Sequence, residues 1–200
     1  MPPRGPGGRS HPRRPPLVRP DGAVVDLGGL LVTCRARTAA DLVLHLDRPD
    51  ALAVLDALLR SGTSEELALA RALCAGRPGA RGVMDLFDLV DARAETPLES
   101  RARLRCHEGG VPPDDLQVDV RDEHGVLLAR ADMVFRRRSS RPGLLLLEAD
   151  GEEPHSSPDA VYRDRWRTNA LVALGHDVVR CTWRDTLSRG AVPAMVCAAL

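Results

Sequence analysis

The chain contains no lysine. All 28 of its basic residues are arginine, set against 28 acidic ones, so the formal net charge is zero. That absence excludes a lysine nucleophile or Schiff base, and with it the G-x-x-x-x-G-K-S/T phosphate loop. Aromatic residues make up only 2%, so the core has to be built from Leu, Val and Ala. No apolar run approaches the ~18–20 residues of a membrane span. The opening M-P-P-R-G-P-G-G-R lacks the apolar stretch of a secretory leader, which gives the expectation of a cytoplasmic protein with no membrane partner. The five cysteines (Cys34, Cys74, Cys106, Cys181 and Cys197) never stand in C-x-x-C spacing, so neither a zinc site nor a disulfide framework is supported. A Ser-centred nucleophile elbow is missing too. Zero net charge argues against tight non-specific binding to nucleic acid.

What is present is unevenly spread. Residues 1–20 are Pro, Gly and Arg with little to bury, the composition of a disordered tail. Arg136, Arg137, Arg138 and Arg141 cluster between two strand-like runs, either as a solvated face or as phosphate contacts. A helical N-terminal region follows over 21–94, beginning with an extended piece, Ala23 to Val32. Thr38–Leu46 has helical spacing, and Pro49 opens a second helix that runs to about Arg60 and closes at Ser61-Gly62. Thr63-Ser64-Glu65-Glu66 reads as a capping box for a third helix, to about Cys74. After a Gly-rich loop over 76–82, a fourth helix is expected to reach about Arg93.

From Glu95 the pattern changes, marking a second domain over 95–200. Thr96-Pro97-Leu98-Glu99 starts a helix that ends at Gly109-Gly110. Strand-like runs follow at Leu116–Arg121, Val126–Phe135 and Gly143–Asp150, the first two joined by the hairpin signal Asp122-Glu123-His124-Gly125. The apolar run L-L-L-L marks a central strand covered on both sides. Pro158–Leu174 predicts a helix, Asp177–Thr182 a strand, and a short helical region closes the chain. The order is α-β-β-β-α-β.

Two acids in this half invite chemistry. Asp132, in R-A-D-M-V-F, follows an apolar half-strand, and Glu148 ends L-L-L-L, so both can project at the same sheet edge. Neighbouring strand acids repel unless a proton or a cation holds them together. Hard cations such as magnesium accept one or two carboxylates plus substrate oxygens. The alternative is an ordinary strand-end acid paired to arginine. Glu99 fits the capping box. Asp164 and Arg167 have the i, i+3 spacing of an ion pair. Gln117 can hydrogen-bond such a site from the next strand or simply cap the hairpin. Trp166 and Trp183 are read as packing residues rather than base-stacking platforms, and His45 and His107 as structural.

Five segments carry a resemblance. They are T-P-L-E-S-R, the glutamine of D-L-Q-V-D-V, A-R-A-D-M-V-F, L-L-E-A-D-G-E-E-P-H-S-S with Y-R-D-R-W-R, and L-G-H-D-V-V-R-C-T-W-R-D. In this order over Glu95 to Leu187 they resemble the domain-of-unknown-function 559 family, related to the very-short-patch repair endonucleases of the restriction-endonuclease-like superfamily. The resemblance implies an α/β fold whose α-β-β-β-α-β core carries a mixed central sheet, preceded by a small helical region. It also implies a Mg2+- or Mn2+-dependent endonuclease acting on DNA, most simply duplex. Asp132 and Glu148 would then be metal ligands and catalytic, with His155 an acid–base group, Glu99 and Asp164 further site acids, and Gln117 and Arg167 substrate-side contacts. Asp150 stands where the wider superfamily places lysine, and Pro154 where relatives often carry an aromatic. L-V-T-C-R-A-R-T-A-A-D-L resembles the antitoxin-like region preceding this domain in actinobacterial members, whose upstream DNA-binding portion is missing or reduced here. Hence the alternative expectation of a DNA-binding or regulatory protein of the abortive-infection antitoxin type, with weak or lost catalysis.

Overall fold

The computed structural model describes residues 23–137, 143–151 and 158–200. The tail over 1–20, Arg138, Arg141, Pro154 and His155 lie outside the described residues. The chain forms two compact units, Met1–Cys34 and Arg35–Leu200. In the first, the expected extended piece is folded back into an antiparallel hairpin of β1 (Val24–Leu27) and β2 (Leu30–Thr33). Gly28 and Gly29 make the turn with φ of 67° and 93°, the positive values that a tight hairpin turn requires.

The second unit opens with α1 (Arg35–Val43), α2 (Arg48–Ser61) and α3 (Ser64–Cys74). Local chemistry explains their starts. Asp47 accepts from the Asp50 amide at the head of α2, and Thr63 and Glu66 complete the capping box of α3. The expected fourth helix does not form. Its place is taken by two 3₁₀ turns, Ala80–Gly82 and Met84–Asp88. Side chains take carbonyls at both ends of the segment, Arg48 that of Gly82 and Arg103 that of Leu89, and 3₁₀ turns serve as short connectors.

Next come α4 (Pro97–Glu108), β3 (Asp115–Arg121), β4 (Leu127–Arg136), β5 (Leu144–Ala149), α5 (Pro158–Ala173), β6 (Asp177–Cys181), α6 (Trp183–Leu187) and α7 (Ala191–Ala199). The four strands form one sheet in the order β3-β4-β5-β6, antiparallel except for the β5–β6 pair, so the fold is α/β with a mixed sheet. At the β3–β4 turn the Asp122 carboxylate accepts from the amides of His124 and Val126, which fixes the hairpin.

Leu145, Leu146 and Leu147 of β5 are fully buried, as a strand covered on both faces demands. Leu145 and Leu147 pack with Ala102 and Cys106 of α4 and with Val192 and Val196 of α7. Leu146 packs on the opposite face with Leu171 of α5. Burial pushes the Cys106 and Cys181 thiols up to about 12, which leaves them inert.

The alternation of faces breaks at one place. Residues two apart on a strand normally share a face. Leu116 and Met133, however, pack on the α4 side, whereas Val118 and Ala131 pack on the α5 side. Both strands therefore change faces around Gln117 and Asp132. Gln117 has φ of 54°, the only positive φ of a non-glycine residue among the described residues.

An unusual helix joins sheet to helical block. Arg101, Arg103 and Arg105 of α4 are all buried. Arg101 is ion-paired with Asp50 of α2 and donates to the Thr186 hydroxyl. Arg103 grips the fully buried Asp56 of α2 with two bonds, 2.8 and 2.9 Å, and Arg105 donates to the Thr186 carbonyl at 2.8 Å. Among the described residues no helix is long and apolar enough to cross a membrane.

Candidate functional site

The β4–β5 ladder ends at the Met133–Leu147 pair. One step further the strands part, and Asp132 and Glu148 stand at the fork. Asp132 fills the gap with its side chain: Oδ2 accepts from the Ala149 amide at 2.8 Å, and Oδ1 from the Gln117 amide at 3.4 Å. Burial first, and then the charges of Glu99 and Glu148, push its carboxyl up to about 6, against the lowering effect of those two hydrogen bonds.

Glu148 is 6% exposed, and its two oxygens are in opposite situations. Oε2 accepts from Arg167 and Arg180, both at 3.1 Å. Oε1 is buried and has no hydrogen-bond partner. The register makes this possible, because Glu148 and Arg180 are partners in the parallel β5–β6 pair. Arg180 also donates to Asp164 at 2.7 Å and lies 3.4 Å from Asp150. Asp164 in turn pairs with Arg167 at 2.9 Å, the expected i, i+3 contact, now part of a larger network.

Glu99 joins from α4. The Thr96 hydroxyl accepts from the Glu99 amide and donates to its Oε1. Its Oε2 accepts from the Glu95 amide and from Gln117, both at 2.8 Å. The capping box is therefore only half formed: Thr96 caps the Glu99 amide, but the Glu99 carboxylate turns to the Glu95 amide, the Thr96 hydroxyl and Gln117 rather than to the Thr96 amide. Gln117 does not cap the hairpin; it bridges Glu99 and Asp132. Three carboxylates, those of Glu148, Asp150 and Asp164, share two guanidinium groups, Arg167 and Arg180, while Glu99 and Asp132 share the side-chain amide of Gln117. His155 lies outside the described residues.

Arg180 escaped the sequence reading. The signal available was its place in the strand V-V-R-C, where an arginine on a strand beside an apolar neighbour calls for a buried acid. The tryptophans need correction. Trp166 is 64% exposed and Trp183 45%, with Tyr162 at 79%, so none is buried in the core. Among the described side chains of α5, Leu171 is the one that packs in the core beneath the sheet.

The donor set suits a hard divalent cation. All its atoms are oxygens, one of them buried without a partner, and the Asp132 carboxyl is pushed up by burial and by its acidic neighbours. Among the described residues no three His, Cys, Asp or Glu side chains converge as a ready metal cage. Magnesium, however, commonly binds through one or two carboxylates and keeps its waters.

Two curated relatives match, uncharacterized proteins of the CDC 1551 and H37Rv strains of Mycobacterium tuberculosis. Each is 35% identical over 156 residues, 76% of this chain. The chain spans 55% of the length of these relatives. No family model matches. No solved structure matches either.

Proposed function

We propose that the chain is a metal-dependent endonuclease of restriction-endonuclease-like topology, hydrolysing phosphodiester bonds in DNA with magnesium or manganese. The observation that carries this reading is the pair Asp132 and Glu148 at the strand fork, with Glu148 Oε1 buried and unpartnered. A buried carboxylate oxygen left without a donor is costly, and a cation held between these two residues would satisfy it.

A cation bound there supplies a Lewis acid for the phosphoryl group and a water of lowered pKa. The protein's own residues do the rest. Arg167 and Arg180 hold Glu148 by one oxygen, which leaves the other buried and without a donor. Gln117 fixes Asp132 and Glu99 together. The carboxyl of Asp132, near 6, is ionised at neutral pH and available as a ligand. Arg180 brings a fixed positive charge beside Asp150, where relatives in the wider superfamily carry lysine. Always protonated, it can neutralise charge but cannot act as a base.

A second reading has an observation of its own. Arg167 and Arg180 already pair with Glu148, so guanidinium groups could do a cation's work in a DNA-binding or regulatory protein without catalysis. Supercoiled plasmid with magnesium or manganese, treated with the native chain, Asp132→Ala and Glu148→Ala, separates the two. Metal-dependent nicking that both substitutions abolish supports the nuclease. Three folded, inactive samples would move the conclusion to the binding protein.

A further inference from the structure

Trp183 stands just past the end of β6 and is only half-covered. The guanidinium of Arg101 lies 4.3 Å from its ring centroid. Arg101 is itself buried and fixed by Asp50 and Thr186, so one face of the indole rests on a rigid cation. Trp183 also lines an open groove of about 590 Å³, and Arg101 does not. The arginine therefore backs the indole, leaving the ring to present itself to the groove.

The groove is largely apolar, walled by Pro97, Leu98 and Leu187, and kept open by the small side of Ala149 and Gly151. Exposed Arg184 adds positive charge. Two of its residues touch the acid cluster directly: the Thr96 hydroxyl donates to Glu99, and the Ala149 amide donates to Asp132. A ligand whose anionic group lies at the acids therefore places its next group here, and that group must be flat and apolar-faced.

We infer that the groove receives one unstacked nucleobase of the strand whose phosphodiester lies at Asp132 and Glu148, with Trp183 as its stacking platform. This rests on the nuclease reading. A paired, stacked base cannot enter such a groove, so the preferred substrate is single-stranded or locally opened DNA. Aromatic stacking tolerates every base, so the groove selects for strand opening rather than sequence.

Because the chain has two tryptophans, Trp166→Phe leaves Trp183 as the only one. This full-length variant is titrated in calcium, a cation that takes oxygen ligands, with a short oligothymidylate and with an abasic oligonucleotide of the same length. Tryptophan emission and oligonucleotide anisotropy are both recorded. Quenching by the oligothymidylate and not by the abasic strand is the expected result. In the native background, Trp183→Leu should weaken oligothymidylate binding about tenfold, at the modest end of base–aromatic stacking, while Trp183→Phe retains it. Equal quenching by both strands, or none by either, overturns the inference. Plasmid nicking measured in parallel keeps the readings apart. Nicking without base-dependent quenching rejects the groove and leaves the nuclease; base-dependent quenching without nicking keeps the groove and rejects strand cleavage.

Discussion

Gln117 and Asp132 meet at the one place where β3 and β4 both change faces, and the Gln117 amide lies 3.4 Å from the Asp132 carboxylate. The backbone is strained to bring this about, since a non-glycine residue at φ 54° is disfavoured. Strain of this kind costs about 1–3 kcal/mol and persists where the surroundings enforce it.

Gln117→Gly should therefore separate stability from function. Glycine relieves about 1 kcal/mol of backbone strain, which offsets much of the lost hydrogen bonding to Glu99 and Asp132. Urea unfolding should shift little, while metal-dependent nicking falls at least about tenfold. A large loss of stability with unchanged nicking would make Gln117 a purely structural residue.

The raised carboxyl of Asp132 fixes the sign of a pH effect. Its folded value of about 6 lies above the ordinary 3.8, so the native state binds the proton more tightly. The associated stability is present below about pH 4 and is lost as pH rises through 6. In EDTA, Asp132→Asn should thus be more stable than the native chain at pH 7.5, by up to about 3 kcal/mol. The gap should close near pH 4 in urea titrations. Nicking by the native chain should decline as pH drops below 6.

Metal should close most of that gap. With magnesium or manganese at about a hundredfold excess over its Kd, the native chain gains about 2.7 kcal/mol, or roughly 5–10 °C in Tm. Glu148→Gln and Asp132→Asn should show no such rise in a thermal melt. Equal shifts in all three would place the cation elsewhere.

Removing Arg180 leaves Glu148 with one guanidinium partner in place of two. Arg180→Met should destabilise the fold by about 1–3 kcal/mol, less than a buried pair broken outright because Arg167 remains. Adding Glu148→Gln to it should recover most of that loss, and a double-mutant cycle in urea measures the coupling.

Much of this architecture could be read from the chain because its causes are local. The start of α4 follows from Thr96, Pro97 and Glu99, and the central strand from four consecutive leucines. Asp132 and Glu148 were visible as strand acids. What the sequence hid depends on distant partners. Arg180 matters only because the parallel register sets it beside Glu148, and no local pattern specifies that register. The left-handed Gln117 lacks any cue, since glutamine has no preference for positive φ. Scarcity of aromatics misled the reading of the tryptophans: few aromatics implied core use, yet leucine and alanine fill the core and Trp166 faces water.

The arginines of α4 bear on how this protein can be divided. Its first turn carries Glu99 and its middle carries Arg101 and Arg103, which are tied to Asp50 and Asp56 of α2. A fragment cut at residue 95 keeps every acid of the site but strips two buried cations of their counterions. Such a fragment would have to bury or expel those charges, and α4, the strut that aims Glu99, would shift with them. The sheet and the helices before it are therefore one working piece, and the acids can be transplanted only together with α2.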